Sequence, residues 1–242
     1  MTNRTQAFAP ARRMRLAEDV VDQVRAAILD GQFSAGQRLR EDELASVLQV
    51  SRGPVREALA SLEREGLVVV APHRGASVVQ LTPADLADVY SLRTGLEVIA
   101  TQLAIMRGTE EDFRQADRVL KDLARLLKGH PSEQDAARLD LEFHDVLYSA
   151  ARNERLRASW LGVRSQVYLF LLKRNIASPD WRDGSVSGHS EILEAVRARD
   201  EARAVQLISE HISYAYTLIS NNLGSAADDR LTLIAPRLQV RT

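Results

Sequence analysis

The chain has 242 residues, 32 of them basic and 33 acidic, and it contains no cysteine. That length suits one large domain or two small ones, either of which can bury a hydrophobic core. The absence of cysteine excludes disulfide bonds, cysteine-ligated zinc fingers, iron–sulfur clusters and thiol catalysis. A net charge of −1 gives the chain as a whole no attraction to nucleic acid or to an anionic membrane.

No apolar run approaches the roughly 18 residues that a membrane span needs. The N-terminal residues also lack the apolar stretch of a signal peptide. We therefore expect a cytoplasmic protein that does not bind membranes. Residues 1–15 contain four arginines and no acidic residue, and we expect them to form a basic flexible arm.

The next part of the chain, to residue 80, predicts three helices followed by a β-hairpin. Apolar residues recur at helical spacing from Leu16 to Ile28, and a second, short helix runs from Leu39 to Leu48. A third helix begins after Ser51, which is a good N-cap, and has Pro54 in its first turn. Two β-branched segments then flank a turn at Pro72–Gly75 and predict two short strands.

Two helices joined by a tight turn and followed by a hairpin indicate a winged helix-turn-helix over residues 16–80. Arg52 and Arg56 lie four residues apart, on one face of the third helix. Each guanidinium can bind a guanine edge in the major groove, and Ser51 can donate to a phosphate. The hairpin tip at His73–Gly75 would be the wing. The alternative is that both arginines are simply solvated surface residues.

Residues 81–222 predict an all-α bundle of six or seven helices. A capping box opens it at Thr82–Asp85, with proline at the first helical position. Six helices follow from the periodicity, near residues 82–107, 110–128, 132–151, 154–176, 186–199 and 201–222. Residues 223–242 form a tail for which the sequence predicts no structure.

Three histidines and one aspartate lie on apolar stripes of the predicted bundle. Asp140 and His144 are spaced i, i+4, so their side chains can converge on one ion. His189 opens the next-to-last helix and His211 lies within the stripe of the last. These four residues are candidates for a divalent-metal site inside a bundle. The alternative is that each histidine is a core residue with a hydrogen-bond partner.

Arg93 also lies on an apolar stripe, that of the first bundle helix. It is a candidate for a cation that faces a cavity and binds a carboxylate ligand. The alternative is a surface ion pair with Glu97, one turn away, which would contribute little. Three tyrosines are candidates either for the pocket lining or for the core: Tyr148, Tyr168 and Tyr214.

Residues 38–78, which include SRGPVREAL and LEREGL, resemble the winged helix-turn-helix of the GntR family of bacterial transcription regulators. The resemblance implies that five positions contact bases or phosphates: Ser51, Arg52, Arg56, His73 and Gly75. Some members of the family carry a DNA-contacting arginine where this chain has Asp42. Arg38 and Arg40 lie nearby and are candidates to replace it.

The second part of the chain resembles the FCD ligand-binding domain of the FadR subfamily. The motif DLEFH, from Asp140 to His144, matches that domain's metal ligands, as do His189 and His211. Arg93, within YSLRTGLE, resembles the family's effector-contacting arginine. Six predicted helices favour the VanR-like branch over the seven-helix branch that binds acyl-CoA.

The sequence therefore predicts a ligand-responsive transcription regulator, a repressor in our interpretation, that binds a palindromic operator as a homodimer. A divalent ion, zinc in preference to nickel or manganese, would hold a small carboxylate against Arg93. Two other classes remain open from the residues alone. One is a hydrolase or lyase that uses the three histidines, although the chain has no H-E-x-x-H, G-x-S-x-G or P-loop motif. The other is an interaction protein whose winged helix binds protein.

Overall fold

A computed structural model describes residues 12–72, 74–129, 132–177, 182 and 184–222. Most of the basic arm, the hairpin residue His73 and the tail 223–242 lie outside the described residues. The chain separates into two compact units, Met1–Gln80 and Leu81–Thr242. None of the described helices is long and apolar enough to cross a membrane.

The described part of the first unit contains three helices and a three-stranded sheet. Their bounds are α1 (Arg12–Leu29), β1 (Arg38–Leu39), α2 (Glu41–Val47), α3 (Arg52–Arg64), β2 (Val68–Ala71) and β3 (Gly75–Val78). The sheet is antiparallel, with strand order β1-β3-β2. The hairpin of β2 and β3 follows α2 and α3 along the chain. This unit is therefore a winged helix-turn-helix, as the sequence predicted.

Two details of the first unit differ from the prediction. Leu39 is not helical, because it lies in β1 and pairs with Ala76 of the wing. The hydrogen bonds of this strand come from a partner distant in sequence, so the spacing of apolar residues could not predict it. The first helix begins at Arg12, so residues 12–15 do not belong to a flexible arm. Arginine is a good helix former, and nothing in these four residues stops the helix from extending toward the N-terminus.

Helices α1 and α3 pack against each other and form the core of this unit. The two helices contribute these buried apolar residues to the core: Val20, Val24, Ile28, Val55, Leu59 and Leu62. Each side chain of this size stabilises the fold by about 1.5–3 kcal/mol when fully buried. Ser51 is at the N-cap of α3 as predicted, but its hydroxyl makes no capping hydrogen bond. The packing therefore fixes α3 by its apolar face and leaves the opposite face exposed.

The described part of the second unit is entirely helical and contains the six helices that the sequence predicted. Their bounds are α4 (Pro83–Arg107), α5 (Glu110–Leu127), α6 (Glu133–Ala150), α7 (Glu154–Ala177), α8 (Ser185–Arg197) and α9 (Glu201–Asn222). The predicted capping box is present, since the Thr82 backbone amide donates to Asp85 Oδ2 at 2.7 Å and the Asp85 amide to Thr82 Oγ1 at 3.2 Å. Helix α4 is central, because it contacts α6, α7, α8 and α9.

Candidate metal centre and DNA-binding surface

The four predicted metal ligands meet inside the helical unit. Asp140 and His144 lie one turn apart on α6, His189 lies on α8 and His211 on α9. Each offers one donor atom, and these atoms all lie within 4.8 Å of one another. Because the ligands come from three helices, the packing of the bundle decides their geometry.

The orientation of two imidazoles suits a metal ion. His189 donates from Nδ1 to the backbone oxygen of Ser185 at 2.7 Å, which leaves Nε2 as a lone-pair donor. His144 Nδ1 lies 2.9 Å from Glu97 Oε1, and its Nε2 faces the cluster, 3.9 Å from Asp140 Oδ2. A carboxylate or carbonyl behind each ligating histidine is the usual arrangement in metal sites, because it fixes the tautomer and the ring.

Two donor atoms of the cluster have no hydrogen-bond partner. They are Asp140 Oδ2 and His189 Nε2, and both are buried. A buried polar atom without a partner costs about 1–3 kcal/mol, so such atoms are uncommon unless they serve a ligand. The donor set of three imidazoles and one carboxylate fits zinc or a similar divalent ion.

The protonation states also favour a cation. Burial lowers the pKa of His189 to about 4 and, together with the neighbouring imidazoles, holds the pKa of His211 well below its usual value. Burial alone would raise the pKa of Asp140, but the Arg174 guanidinium and the three imidazoles lower it overall. At neutral pH the cluster therefore presents two neutral imidazoles and a carboxylate, the forms in which these groups bind metals.

Arg93 is fully buried and contacts this cluster directly. Its Nη2 lies 3.1 Å from His144 Nε2, and its Nε lies 3.4 Å from Glu97 Oε1. The Glu97 pair that the sequence suggested therefore exists, but the interpretation of it as a surface pair is wrong, since neither side chain is exposed. Sequence reasoning missed that Glu97 also lies behind a candidate metal ligand.

A cavity of about 350 Å³ lies beside the cluster. Its wall includes the candidate ligands Asp140 and His211, and also Ser185, Arg174, Glu210 and Tyr214. Neither Arg93 nor Tyr148 lines it; the Tyr148 ring stacks on Trp160 with 4.8 Å between ring centroids. Tyr168 is buried in the core and does not line the cavity either.

Arg174 is a second cation beside this site, and it was not among the residues that the sequence predicted. Its Nη2 lies 3.5 Å from Asp140 Oδ1, and its Nε and Nη2 donate to Asn175 Oδ1. A signal was present in the sequence, because Arg174 continues the apolar stripe of α7 formed by Val167, Phe170 and Leu171. The stripe marks the residue as buried, but only the packed bundle brings it to Asp140.

In the first unit, α3 presents its polar face to solvent. Ser51, Arg52 and Arg56 are all exposed, and they lie opposite the apolar face that packs in the core. Arg56 is 69% exposed and makes a 3.4 Å ion pair with Glu41 of α2. An exposed pair of this kind contributes little, so Arg56 remains available to a ligand.

Two other predicted contact residues lie close together at the wing. Gly75 has a φ of +76°, a conformation that favours glycine, and the Arg38 guanidinium lies beside it. Arg38 is exposed and belongs to β1, which pairs with the wing strand β3. Arg40 is also exposed, but it pairs with Asp42 at 3.4 Å and Glu43 at 3.3 Å.

A winged helix-turn-helix followed along the chain by an all-helical domain is the domain order of a class of bacterial transcription regulators. Residues 16–78 match the bacterial regulatory proteins of the gntR family, and residues 88–214 match the FCD domain. The chain belongs to the GntR family and carries an FCD domain. It is therefore a DNA-binding transcription regulator and not an enzyme, which removes the hydrolase or lyase alternative.

Curated relatives agree over most of their length. The chain is 34% identical over 184 residues to the Nta operon transcriptional regulator of Aminobacter aminovorans, covering 74% of this chain and 83% of that protein. It is 29% identical over 193 residues to the transcriptional repressor GlaR of Escherichia coli (strain K12), covering 76% and 87%. A probable D-xylose utilization operon repressor of Paenarthrobacter nicotinovorans is 30% identical over 205 residues, covering 83% and 87%.

Solved structures share the fold. A putative GntR regulator from Rhodococcus sp. RHA1 superposes with a TM-score of 0.70 at 24% identity, covering 85% of this chain and 97% of that one. A GntR-family regulator from Pseudomonas syringae pv. tomato is 29% identical with a TM-score of 0.50, and 88% of each chain is covered.

Proposed function

We propose that this chain is a ligand-responsive repressor that binds a palindromic operator as a homodimer and responds to a small organic acid. The observation that carries the proposal is the convergence of Asp140, His144, His189 and His211, with two unpartnered donor atoms, beside a cavity. The names of two relatives, which are described as repressors, favour repression over activation. Such a regulator would act in the cytoplasm, where bacterial DNA lies.

The exposed face of α3 would read the operator. Arg52 and Arg56 would reach base edges in the major groove, where a two-pronged contact to guanine discriminates by about 1–3 kcal/mol. Ser51 lies at the N-terminal end of α3, where backbone amides and the helix dipole favour a phosphate. Arg38 and Gly75 at the wing, with His73 and Arg40, would contact the DNA backbone or the adjacent minor groove.

The helical unit would hold a divalent ion, zinc in preference to nickel or manganese, on its four candidate ligands. When bound, the ion supplies a Lewis-acid site for a carboxylate oxygen. Glu97 and the backbone oxygen of Ser185 orient His144 and His189, respectively. The Asp140 carboxylate is kept ionised by its cationic neighbours, so no proton competes for it at neutral pH.

Arg93 is our candidate for binding the effector. Its Nη2 is within hydrogen-bonding distance of His144 Nε2, the lone pair that a metal ion would take. Once that lone pair is used, Nη2 of the buried guanidinium loses its acceptor, and a buried donor without a partner is unfavourable. A carboxylate bound to the ion would replace the lost acceptor, so Arg93 would couple ion binding to effector binding.

Dimerisation is supported by an unpartnered face of α4. Within the described chain, Leu92, Ile99 and Met106 lie seven residues apart along this helix and are 46–69% exposed. Two copies of the chain could bury this face, and symmetric dimers are the commonest oligomers. Two copies also match the symmetry of a palindromic operator.

The effector can change DNA binding only if it binds one arrangement of the protein better than another, with a coupling of typically 1–3 kcal/mol. The test is fluorescence anisotropy with labelled duplexes from the chain's own promoter region, at several salt concentrations and with a panel of sugar acids, hydroxy acids and dicarboxylates. We expect tight binding that weakens steeply with salt and is released by at least one acid. Salt-insensitive or absent binding to every promoter duplex would contradict the proposal.

A further inference from the structure

Formal charges inside the described residues are few and lie together. Four charged residues other than histidine are at most 5% exposed: Arg93, Glu97, Asp140 and Arg174. Arg93 pairs with Glu97 at 3.4 Å and Arg174 with Asp140 at 3.5 Å. Among the described buried residues other than histidine, two cations thus balance two anions around the histidine cluster.

A divalent ion changes this balance. The imidazoles bind it in their neutral form, so the ion adds two positive charges that no further buried acid in the described residues offsets. Uncompensated charge is strongly disfavoured away from water. The metal-loaded site therefore needs an anion, and two negative charges restore the balance that the metal-free site has.

Arg174 is placed to hold the second of these charges. It lines the cavity beside Asp140 and His211, whereas Arg93 does not. Its guanidinium is fixed from behind, because Asn175 Oδ1 accepts from both Nε and Nη2, and the Asn175 amide donates to the backbone oxygen of Glu133. A guanidinium that is already ordered loses little conformational entropy when it binds a carboxylate.

The other residues of the cavity wall also suit a small ligand with two negative charges. The first turn of α8 reaches the wall at Gly184 and Ser185, and no side chain caps this helix end, so its backbone amides add to the positive potential. Glu210, an exposed residue of the wall, opposes a third negative charge near the outside. The wall thus favours two acid groups over one or three.

We propose that the effector is a small dicarboxylate, with one carboxylate at the ion and the other at the guanidinium of Arg174. This inference rests on the proposed metal site and adds the charge of the ligand and the residue that selects it. Arg174 is in this account the residue that distinguishes a dicarboxylate from a monocarboxylate.

The test is calorimetric titration of the zinc-loaded full chain with succinate and with butyrate, two four-carbon acids that differ by one carboxylate. Metal content is measured first by elemental analysis. We expect wild type to bind succinate at least about tenfold more tightly than butyrate, as one charge-assisted contact allows. Arg174→Met should remove this preference and leave butyrate binding within about twofold, and the exposed neighbour variant Lys173→Met should behave as wild type.

A second variant, Arg174→Lys, keeps the inference testable if Arg174→Met does not fold. Arg174→Lys keeps the charge beside Asp140 but lacks the two-pronged donor, so we expect it to fold and to bind succinate at least about threefold more weakly than wild type. Equal affinity for the two acids in wild type, binding of neither acid, or an unchanged preference in the folded Arg174 variants would overturn the inference while leaving the metal site intact. A chain that binds no zinc would overturn the proposed function as well, and the elemental analysis separates that result from the others.

Discussion

Replacing Glu97 with glutamine tests whether this buried carboxylate orients a metal ligand. Glu97 Oε1 lies 2.9 Å from His144 Nδ1 and holds the imidazole with Nε2 toward the cluster. Glutamine keeps the shape of the side chain but removes its charge. Loss of a group in this position typically lowers metal affinity 10- to 100-fold, which corresponds to about 1.4–2.7 kcal/mol.

The assay is competition for zinc against a chromophoric chelator, with Glu194→Gln as the matched control. Glu194 is an exposed residue of α8, so its substitution should leave zinc affinity unchanged. Thermal unfolding of the metal-free variants separates a folding defect from a metal defect. Wild-type zinc affinity in a folded Glu97→Gln variant would mean that the negative charge of Glu97 does not contribute to zinc binding.

Three further predictions follow from the same geometry. Without metal, the free energy of unfolding should rise by at least about 3 kcal/mol as pH rises from about 4 to 6.5. Burial holds the pKa of folded His189 to about 4, so only the unfolded chain takes up this proton in that range, and the lowered pKa of His211 acts in the same direction. Arg56→Ala should lose about 1–3 kcal/mol of discrimination between operator and unrelated duplexes in anisotropy titrations. Ile99→Glu should convert a dimer to monomers in sedimentation velocity, because a charge would enter the apolar face of α4.

Each of these has a control and a contradicting result. Denaturant unfolding that is flat between pH 4 and 6.5 would mean that His189 does not stay neutral in the fold. Arg114→Ala, an exposed change in the other unit, should leave operator discrimination intact, and the same result for Arg56→Ala would remove that residue from the interface. Ser213→Glu, exposed on α9, should not change the mass, and a dimeric Ile99→Glu would exclude α4 as the contact.

The helical unit could be predicted from the sequence because its signals are local. Thr82 and Asp85 form the capping box at the start of α4 and lie only three residues apart. The predicted breaks at Gly108 and Asn153 lie just beyond the ends of α4 and α6. Spacing also placed Asp140 and His144 on one face of α6. In the first unit, β1 was missed because a two-residue strand has no periodicity and depends on its pairing with the wing.

The candidate site could be predicted only in part, because its other features depend on tertiary packing. The sequence identified Arg93, but it could not show that Glu97 lies behind His144 or that Arg174 reaches Asp140 from α7. These contacts join residues 34 to 47 positions apart, so no local pattern encodes them. The balance of buried charge, on which the inference about the effector rests, becomes visible only when all four charged residues are placed together.

X-ray absorption at the metal edge, combined with elemental analysis of the purified chain, measures whether the aspartate and the three histidines hold a metal ion. We expect one divalent ion per chain with an imidazole scattering signature, and His211→Ala should lose most of that ion while remaining folded. A chain that carries no ion after incubation with zinc, nickel or manganese, or an ion without imidazole ligands, would exclude the proposed metal site.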